Sequence, residues 1–461
     1  MEGMTLGRIA KVCGGVYYGE EDVQQTEIKG VVTDSRKMEE GFLFIPLKGA
    51  RVDGHEFIPQ VIGRGAAAVL SERPLKDCAR PYIQVASTEQ ALKDIARDYR
   101  EQLDIPVIGI TGSVGKTSTK EMIASVLSET YHVLKTEGNL NNEIGLPLTL
   151  LRIRPEHEVA VVEMGISDFG EMHRLAEMAK PDICVMTNIG ISHLEQLKSR
   201  DGILKAKSEI FDFLKPHAKI ILNGEDDKLS LLTEVKGIRP VFFGLDGQGK
   251  TGRQIYADGI ENLGLKGIKA KIHTPEGSFL ADIKAPGEHN VFNAMAAAGV
   301  GLALGMGLED IQSGIRHAQT IKGRTNLIET GGILVIDDCY NANPVSMRAA
   351  LDVLSYGLAR TVAVLGDMGE LGDDEKQLHY EVGAYAAKKQ IDAIFCAGAL
   401  SVETARGASD SNDWCEVFYF ETKEEMLPYL LEYLQEGDTV LVKASHFMDF
   451  PKIIEAIQEA K

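Results

Sequence analysis

The octapeptide Thr111-Gly112-Ser113-Val114-Gly115-Lys116-Thr117-Ser118 has the residue types and spacing of a cradle for nucleotide phosphates. Its glycines let the backbone turn tightly and aim N–H groups at anionic oxygens. A helix starting near Lys116 adds the positive end of its dipole, and Lys116 supplies a point charge. Thr117 then offers a hydroxyl to Mg²⁺. The loop departs from the pattern Gly-x4-Gly-Lys-[Ser/Thr]: the first glycine belongs at position 110, where Ile110 stands, so Gly112 must make the turn. An ordinary strand-to-helix turn is the competing reading of Gly115-Lys116-Thr117.

The flanking elements favour the cradle. An apolar run at 107–110 reads as a strand and an amphipathic pattern follows from Lys116. Further strand-like runs lie at 159–163, 183–187 and 219–223 and, in a second series, at 333–337, 361–366, 392–396 and 438–443. They alternate with helical patterns, as parallel α/β layers do. Between the series, 244–279 reads as small antiparallel strands and turns, and the runs 42–47 and 66–70 suggest a separate small α/β unit. Ligands of open parallel sheets gather beyond the carboxyl ends of the strands. Glu163, Thr187 and Asn188, Asn223, Asp337 and Asp338, and Lys443 stand there. Strand ends are often polar simply because they are exposed; the recurrence at all these ends is what suggests a site.

At 461 residues the chain has room for about three domains of ~150 residues. Its composition is that of folded protein. A net charge of −19 excludes a general nucleic-acid binder, which needs a basic footprint, so positive potential must be focused locally around an anionic nucleotide. Residues 1–15 lack the apolar core of a signal peptide. The longest apolar and glycine run, 294–307, is shorter than the ~20 residues of a membrane span and predicts a buried helix. The cysteines, Cys13, Cys78, Cys184, Cys339, Cys396 and Cys415, form no Cys-x-x-Cys pair, which predicts reduced, structural thiols and a cytoplasmic protein.

The loop is followed by Asn139-x-Asn141-Asn142-Glu143-x-Gly145-x-Pro147, Glu163-Met164-Gly165 and Gly287-x-His289-Asn290-x-x-Asn293-Ala294. In this the chain resembles the ATP-dependent Mur ligases of peptidoglycan assembly. Asp337-Asp338-Cys339-Tyr340-Asn341-Ala342-Asn343-Pro344 and Leu365-Gly366-Asp367-Met368-Gly369-Glu370-Leu371-Gly372, with His379 downstream, resemble the branch that adds D-alanyl-D-alanine to UDP-N-acetylmuramoyl tripeptide. Thr33-Asp34-Ser35-Arg36 and Asp53-Gly54-His55-x-Phe57 fit the nucleotide-sugar domain of that branch. The resemblance covers nearly the whole chain. It implies an α/β fold in three domains: a small α/β UDP-nucleotide-sugar domain at 1–84, a central P-loop ATPase with a mainly parallel sheet at 85–318, and a Rossmann-like domain for D-alanyl-D-alanine at 319–461.

The same resemblance implies the partners and the residue roles. ATP, two Mg²⁺ ions and small-molecule substrates are expected, with no nucleic acid, no membrane span and a monomeric state. Gly112, Ser113, Gly115, Lys116, Thr117 and Ser118 would hold the phosphates, with Thr117 and Glu163 on one Mg²⁺ and His193 on a second. Lys207 matches a lysine carried as a carbamate, and the family pattern favours it for that role over the competing Lys205 and over an ordinary helix-surface lysine. Asn290 would read adenine, while Asn293 also reads as a helix residue that caps or packs. Arg324 would approach the ATP phosphates from the next domain, and Asp338 and Tyr340 would contact the nucleotide. Asn341 and Asn343 would shape the amine site, a role compatible with a polar turn ended by Pro344. Ser35 and Arg36 are matched to the uridine diphosphate, Asn141 and Asn142 to the nucleotide-sugar peptide, and Lys443 and Ser445 to the dipeptide.

One departure stands out. The chain reads Lys443-Ala444-Ser445-His446 where the family pattern has Lys-Gly-Ser-Arg. A titratable ring replaces an always-charged fork, which predicts weaker or pH-dependent dipeptide binding unless a neighbouring basic residue substitutes. The motifs fit a tripeptide ending in either meso-diaminopimelate or L-lysine. The rival readings are the ligase that adds the third peptide residue, folylpolyglutamate synthetase, and a nucleotide-dependent switch. The first two lack the Tyr340-to-Pro344 and Gly366-Asp367-Met368 combination, and a guanine-reading switch would carry an Asn-Lys-x-Asp motif that this chain does not have.

Overall fold

The computed structural model describes residues 1–460 apart from 50, 77, 246–251 and 413. Its strands form three sheets. The first is five-stranded, in the spatial order Val16–Tyr18, Tyr82–Gln84, Ala68–Ser71, Phe42–Phe44, Gly30–Val32, and is parallel except at the Val16–Tyr18 edge. The second has nine strands. From one edge they run Val133–Lys135, Val159–Glu163, Val107–Thr111, Ile183–Met186, Lys219–Asn223, Val241–Leu245 and Ile255–Asn262, all parallel. Ile268–Thr274 and Gly277–Ile283 then continue it in antiparallel fashion. The third has six strands in the order Asn326–Thr330, Ile333–Asp337, Thr439–Lys443, Thr361–Gly366, Ala393–Ala397, Glu416–Phe420, parallel except for its first pair.

The central strands of the second and third sheets are buried along their whole length, as in Val107–Thr111, Val159–Glu163 and Thr361–Gly366. Helices cover both faces of such sheets, so their strands read as unbroken apolar runs. Edge strands such as Val133–Lys135, Asn326–Thr330 and Glu416–Phe420 alternate or are half exposed, and they left no such run in the sequence. The antiparallel extension falls within and just beyond the 244–279 stretch, of which 246–251 lie outside the described residues. The apolar run 294–307 begins inside the helix His289–Ala303, which is buried against the second sheet. Among the described residues no helix is long and apolar enough to cross a membrane. All six cysteines are free.

The three units are joined unequally. One buried cluster runs without a break from the first sheet (Leu43, Leu70, Ile83) through the helix Thr88–Glu101 (Leu92, Ile95, Tyr99) to the face of the second sheet (Val107, Ala160, Met186). The third sheet keeps its own clusters on its two faces. It meets the second unit across a polar cleft of about 1250 Å³.

Candidate active site

The cradle loop lies at the base of this cleft. The strand Val107–Thr111 continues one residue past the apolar run, so Ile110 is a buried strand residue and Gly112 opens the loop. Gly112 has φ 149°, and a Cβ there would stand 2.0 Å from Thr187 Oγ1, so only glycine fits. Gly115, at φ 82°, caps the helix Lys116–Leu127. The loop is braced from the end of the neighbouring strand. Thr187 Oγ1 donates to the Val114 carbonyl oxygen (2.6 Å), Val114 N–H donates to Asn188 Oδ1 (3.0 Å), and the Ser113 hydroxyl exchanges hydrogen bonds with the backbone of Gly190. Lys116 Nζ donates to the Gly112 and Ser113 carbonyl oxygens at 2.8 and 3.4 Å. It keeps some solvent contact, yet enough protein surrounds it that desolvation lowers its pKa, with Glu163 opposing.

Glu163 ends its strand in the cleft wall. Its carboxylate accepts from Thr117 Oγ1 (2.9 Å) and from Asn141 Nδ2 (2.8 Å), and Arg324 Nη2 reaches across from the third unit to within 3.3 Å of the same Thr117 oxygen. A support that the sequence reading missed lies behind it. Glu163 N–H donates to Thr136 Oγ1 (3.0 Å), and the fully buried Lys120 donates to the Thr136 carbonyl oxygen (2.6 Å) while pairing with Glu121 (3.0 Å). The only signal for Lys120 was its place one turn after Lys116 on the same helix.

Lys207 and Lys205 are separated by the fold. Lys205 is exposed, near the Phe169 ring, whereas Lys207 is 1% exposed. No acidic side chain pairs with Lys207 among the described residues, and burial, with the Lys116 ammonium nearby, pushes its ammonium well below the ordinary range. His193 lines the cleft and faces Glu370 of the third unit, Nδ1 to Oε2 2.6 Å, though the oxygen lies off the Nδ1 hydrogen-bond direction. Among the described residues the buried oxygens Thr111 Oγ1 and Ser192 Oγ have no hydrogen-bond partner.

The opposite wall is built differently. Asp338 Oδ1 accepts from Thr325 N–H (3.0 Å), and Oδ2 accepts from Lys443 Nζ (2.7 Å), which also donates to the Asn341 carbonyl oxygen (2.9 Å). Tyr340 lies under Arg324, guanidinium to ring 4.1 Å, with the exposed His446 ring 5.9 Å away. Asn343 caps the helix Pro344–Leu354 in a reciprocal box with Ser346. Ser445 Oγ accepts from Gly369 N–H (2.9 Å), and the buried His379 accepts from Met368 N–H (2.9 Å).

Some expected residues stand elsewhere. Asn290 is buried and is not among the residues lining the cleft: its amide donates to the Pro286 carbonyl oxygen (2.8 Å) and accepts from Asn293 Nδ2 (2.9 Å). In the first helical turn the nearest unsatisfied acceptor captured it. Asn293 does line the cleft and accepts from Thr119 Oγ1 (2.7 Å), and Asn223, Phe243, His289 and Phe292 extend the same wall. Asn142 lines the cleft but spends its side-chain oxygen capping Gly145 N–H (2.8 Å). Ser35 and Arg36 lie outside the cleft on the first unit; Ser35 is buried and Arg36 is an exposed partner of Asp34 (2.8 Å).

This arrangement has close relatives. Family models match at three places: the Mur ligase family catalytic domain at 27–100, the Mur ligase middle domain at 110–301 and the Mur ligase glutamate ligase domain at 323–446. The UDP-N-acetylmuramoyl-tripeptide–D-alanyl-D-alanine ligase of Bacillus subtilis is 39% identical over 99% of this chain and 98% of its own length. The chain belongs to the Mur ligase family. The ligase of the same name from Escherichia coli is 34% identical over 100% of this chain and 99% of its own length. Among solved Mur ligases, a crystal structure of MurF from Acinetobacter baumannii superposes with TM-score 0.89 at 38% identity, covering 99% of both chains. MurF from Thermotoga maritima in complex with ADP superposes with TM-score 0.80 at 28% identity, over 94% of this chain and 97% of that one.

Proposed function

We propose that this Mur ligase joins D-alanyl-D-alanine to UDP-N-acetylmuramoyl tripeptide at the expense of ATP, giving the UDP-pentapeptide used in peptidoglycan synthesis. The observation that carries the reading is a phosphate cradle facing the Asp338–Asn343 turn across one cleft, in a chain matched end to end by ligases of that name. A carboxylate resists attack by an amine, because its charge repels nucleophiles and oxide is a very poor leaving group. Transfer of the γ-phosphoryl group to the tripeptide carboxylate removes both obstacles. The dipeptide amine adds to the acyl phosphate, the tetrahedral intermediate collapses, and inorganic phosphate leaves. The protein contributes position and charge.

Lys116 turns from its loop carbonyls to the β- and γ-phosphates, and Arg324 adds its charge from the far wall. Thr117 and Glu163 hold one Mg²⁺. Their hydroxyl and carboxylate are hard oxygen donors, and Mg²⁺ is commonly bound by one or two carboxylates plus phosphate oxygens and water. Bound there, Mg²⁺ neutralises phosphate charge. His193 serves a second ion, and the orphaned Ser192 oxygen beside it suits a hydrated cation. Lys207 is carbamylated. Burial favours its neutral amine, which adds to CO₂ with loss of a proton and becomes an anion compatible with a neighbouring cation. Tyr340 and Asp338 flank the nucleotide, Asn141 and Asn142 face the tripeptide, and Asn341, Asn343 and Ser445 shape the amine site, with Lys443 holding its floor. Ser35 and Arg36 take the uridine diphosphate. Residues 1–84, 85–318 and 319–461 thus each bring one substrate, in a cytoplasmic monomer.

The test is phosphate release from ATP and Mg²⁺ with UDP-N-acetylmuramoyl tripeptide, with and without D-alanyl-D-alanine, the product being weighed by mass spectrometry. Release that needs both substrates and yields the UDP-pentapeptide is expected. Release indifferent to the dipeptide would overturn the reading.

A further inference from the structure

Two residues with side chains hold left-handed backbone in the second and third units, and they meet. His193 has φ 53° and Glu370 φ 61°, conformations that a Cβ disfavours. Such strain persists only where the surroundings over-determine it, and it gathers at functional sites. The Glu370 loop is pinned just before it, by Met368 N–H on His379 Nε2 and Gly369 N–H on Ser445 Oγ, each 2.9 Å. After it, Gly372 packs on the second unit, where a Cβ would stand 3.9 Å from Glu195 N. His193 leads directly into the short helix Leu194–Leu197, whose last N–H donates to the His193 carbonyl oxygen (2.9 Å). The result brings Glu370 Oε2 to 2.6 Å from His193 Nδ1.

Glu370 Oε2 stands within hydrogen-bond distance of Nδ1 but off its N–H direction, so a turn of the ring is needed to complete the bond. An imidazole whose Nδ1–H is held by a carboxylate presents Nε2 as a lone-pair donor in a fixed direction, the usual arrangement around metal-bound histidine. Here the carboxylate belongs to a different unit from the imidazole, and those two units share a polar cleft instead of a continuous core. We propose that Glu370 is a positioning residue that orients His193 only when the third unit is docked, so that docking and cation binding at His193 reinforce each other. This rests on the reading of His193 as a cation ligand. Linkage makes the effect reciprocal: whatever docking gains for the cation, the cation returns to docking.

The experiment titrates the full-length protein with Mn²⁺ by electron paramagnetic resonance in the presence of ADP, comparing the unsubstituted chain with Glu370→Gly, Glu370→Gln, His193→Ala and the Glu370→Gly/His193→Ala double variant. Glycine accepts φ 61°, so Glu370→Gly removes the carboxylate without straining the loop, and an unchanged melting temperature verifies this. Expected are an affinity loss of about 10- to 100-fold for Glu370→Gly, partial rescue by Glu370→Gln, whose amide oxygen can accept from Nδ1–H, and no further loss when Glu370→Gly is added to His193→Ala. Normal Mn²⁺ binding by Glu370→Gly, with His193→Ala impaired, would overturn the positioning role. An additional loss in the double variant would also overturn it, by making Glu370 a ligand itself. Normal binding by His193→Ala would instead sink the reading of His193, and the proposal with it.

Discussion

The two walls of the cleft solve opposite problems. On the cradle side several polar groups are under-used within the protein: among the described residues Thr111 Oγ1, Ser192 Oγ and His193 Nδ1 lack hydrogen-bond partners and Lys207 lacks an acidic one. On the facing side they are consumed internally, with Lys443 bound to Asp338 and Asn341, Asn343 to its helix, and Ser445 to Gly369. Buried polar groups without partners are costly, so a wall that tolerates them is arranged for a ligand, whereas a wall that satisfies them is arranged for shape. Substitutions on the first wall should therefore remove activity and spare the fold, and those on the second should reach activity through the fold.

The largest expected effect tests the first half. Lys116→Met should lower kcat/KM by about 1,000-fold, the scale of losing a charge-stabilising donor, with thermal melting unchanged; a parallel fall in melting temperature would erase the distinction. Lys443→Met comes next. It leaves Asp338 buried without its cation, so urea unfolding should report a loss of about 3 kcal/mol. If stability held while the KM for dipeptide rose steeply, Lys443 would belong to the substrate and the comparison would break. Asn343→Ala should cost about 1 kcal/mol through the lost helix cap, read by the same unfolding titration, with the KM for dipeptide rising as the amine site it shapes loosens.

The smallest effect is a pH dependence confined to the facing wall. Burial holds the His379 imidazole below its ordinary pKa, with its ring nitrogens against the Glu375 carbonyl oxygen (2.7 Å) and Met368 N–H. Below about pH 6.5 the unfolded chain takes up a proton that the fold refuses. The contribution of His379 is therefore complete above that value and is lost as the pH falls through it toward the depressed folded pKa. Melting temperatures measured from pH 8 to 5.5 should decline more steeply for the unsubstituted protein than for His379→Asn; equal slopes would remove His379 from the facing wall's stability.

The same contrast explains what could be read in advance. The cradle is one contiguous loop whose glycines are demanded by local geometry, so Gly112, Gly115, Lys116 and Thr117 were legible by type and spacing. Glu163 was legible because a carboxylate ends an apolar strand. Lys120 and Thr136 were not, since a lysine on an amphipathic helix carries no mark of being buried. Asn290 was assigned to adenine because it sits in a recognisable motif, yet its side chain is spent on Pro286, a choice made by the local carbonyl geometry of a helix start. The facing wall was legible in its residues, as polar strand ends and as the Asp337–Pro344 family motif, but not in its wiring, because its hydrogen bonds join residues as far apart as Asp338 and Lys443.

Pattern and local chemistry determined the buried strands, the phosphate cradle and the family, because apolar runs, glycine turns and contiguous motifs are written in adjacent residues. Tertiary structure decided which of Lys205 and Lys207 is buried, which asparagines reach the cleft, and that Glu370 meets His193. Those outcomes depend on which atoms the packed sheets bring within about 3 Å of one another, and no spacing along the chain encodes that distance.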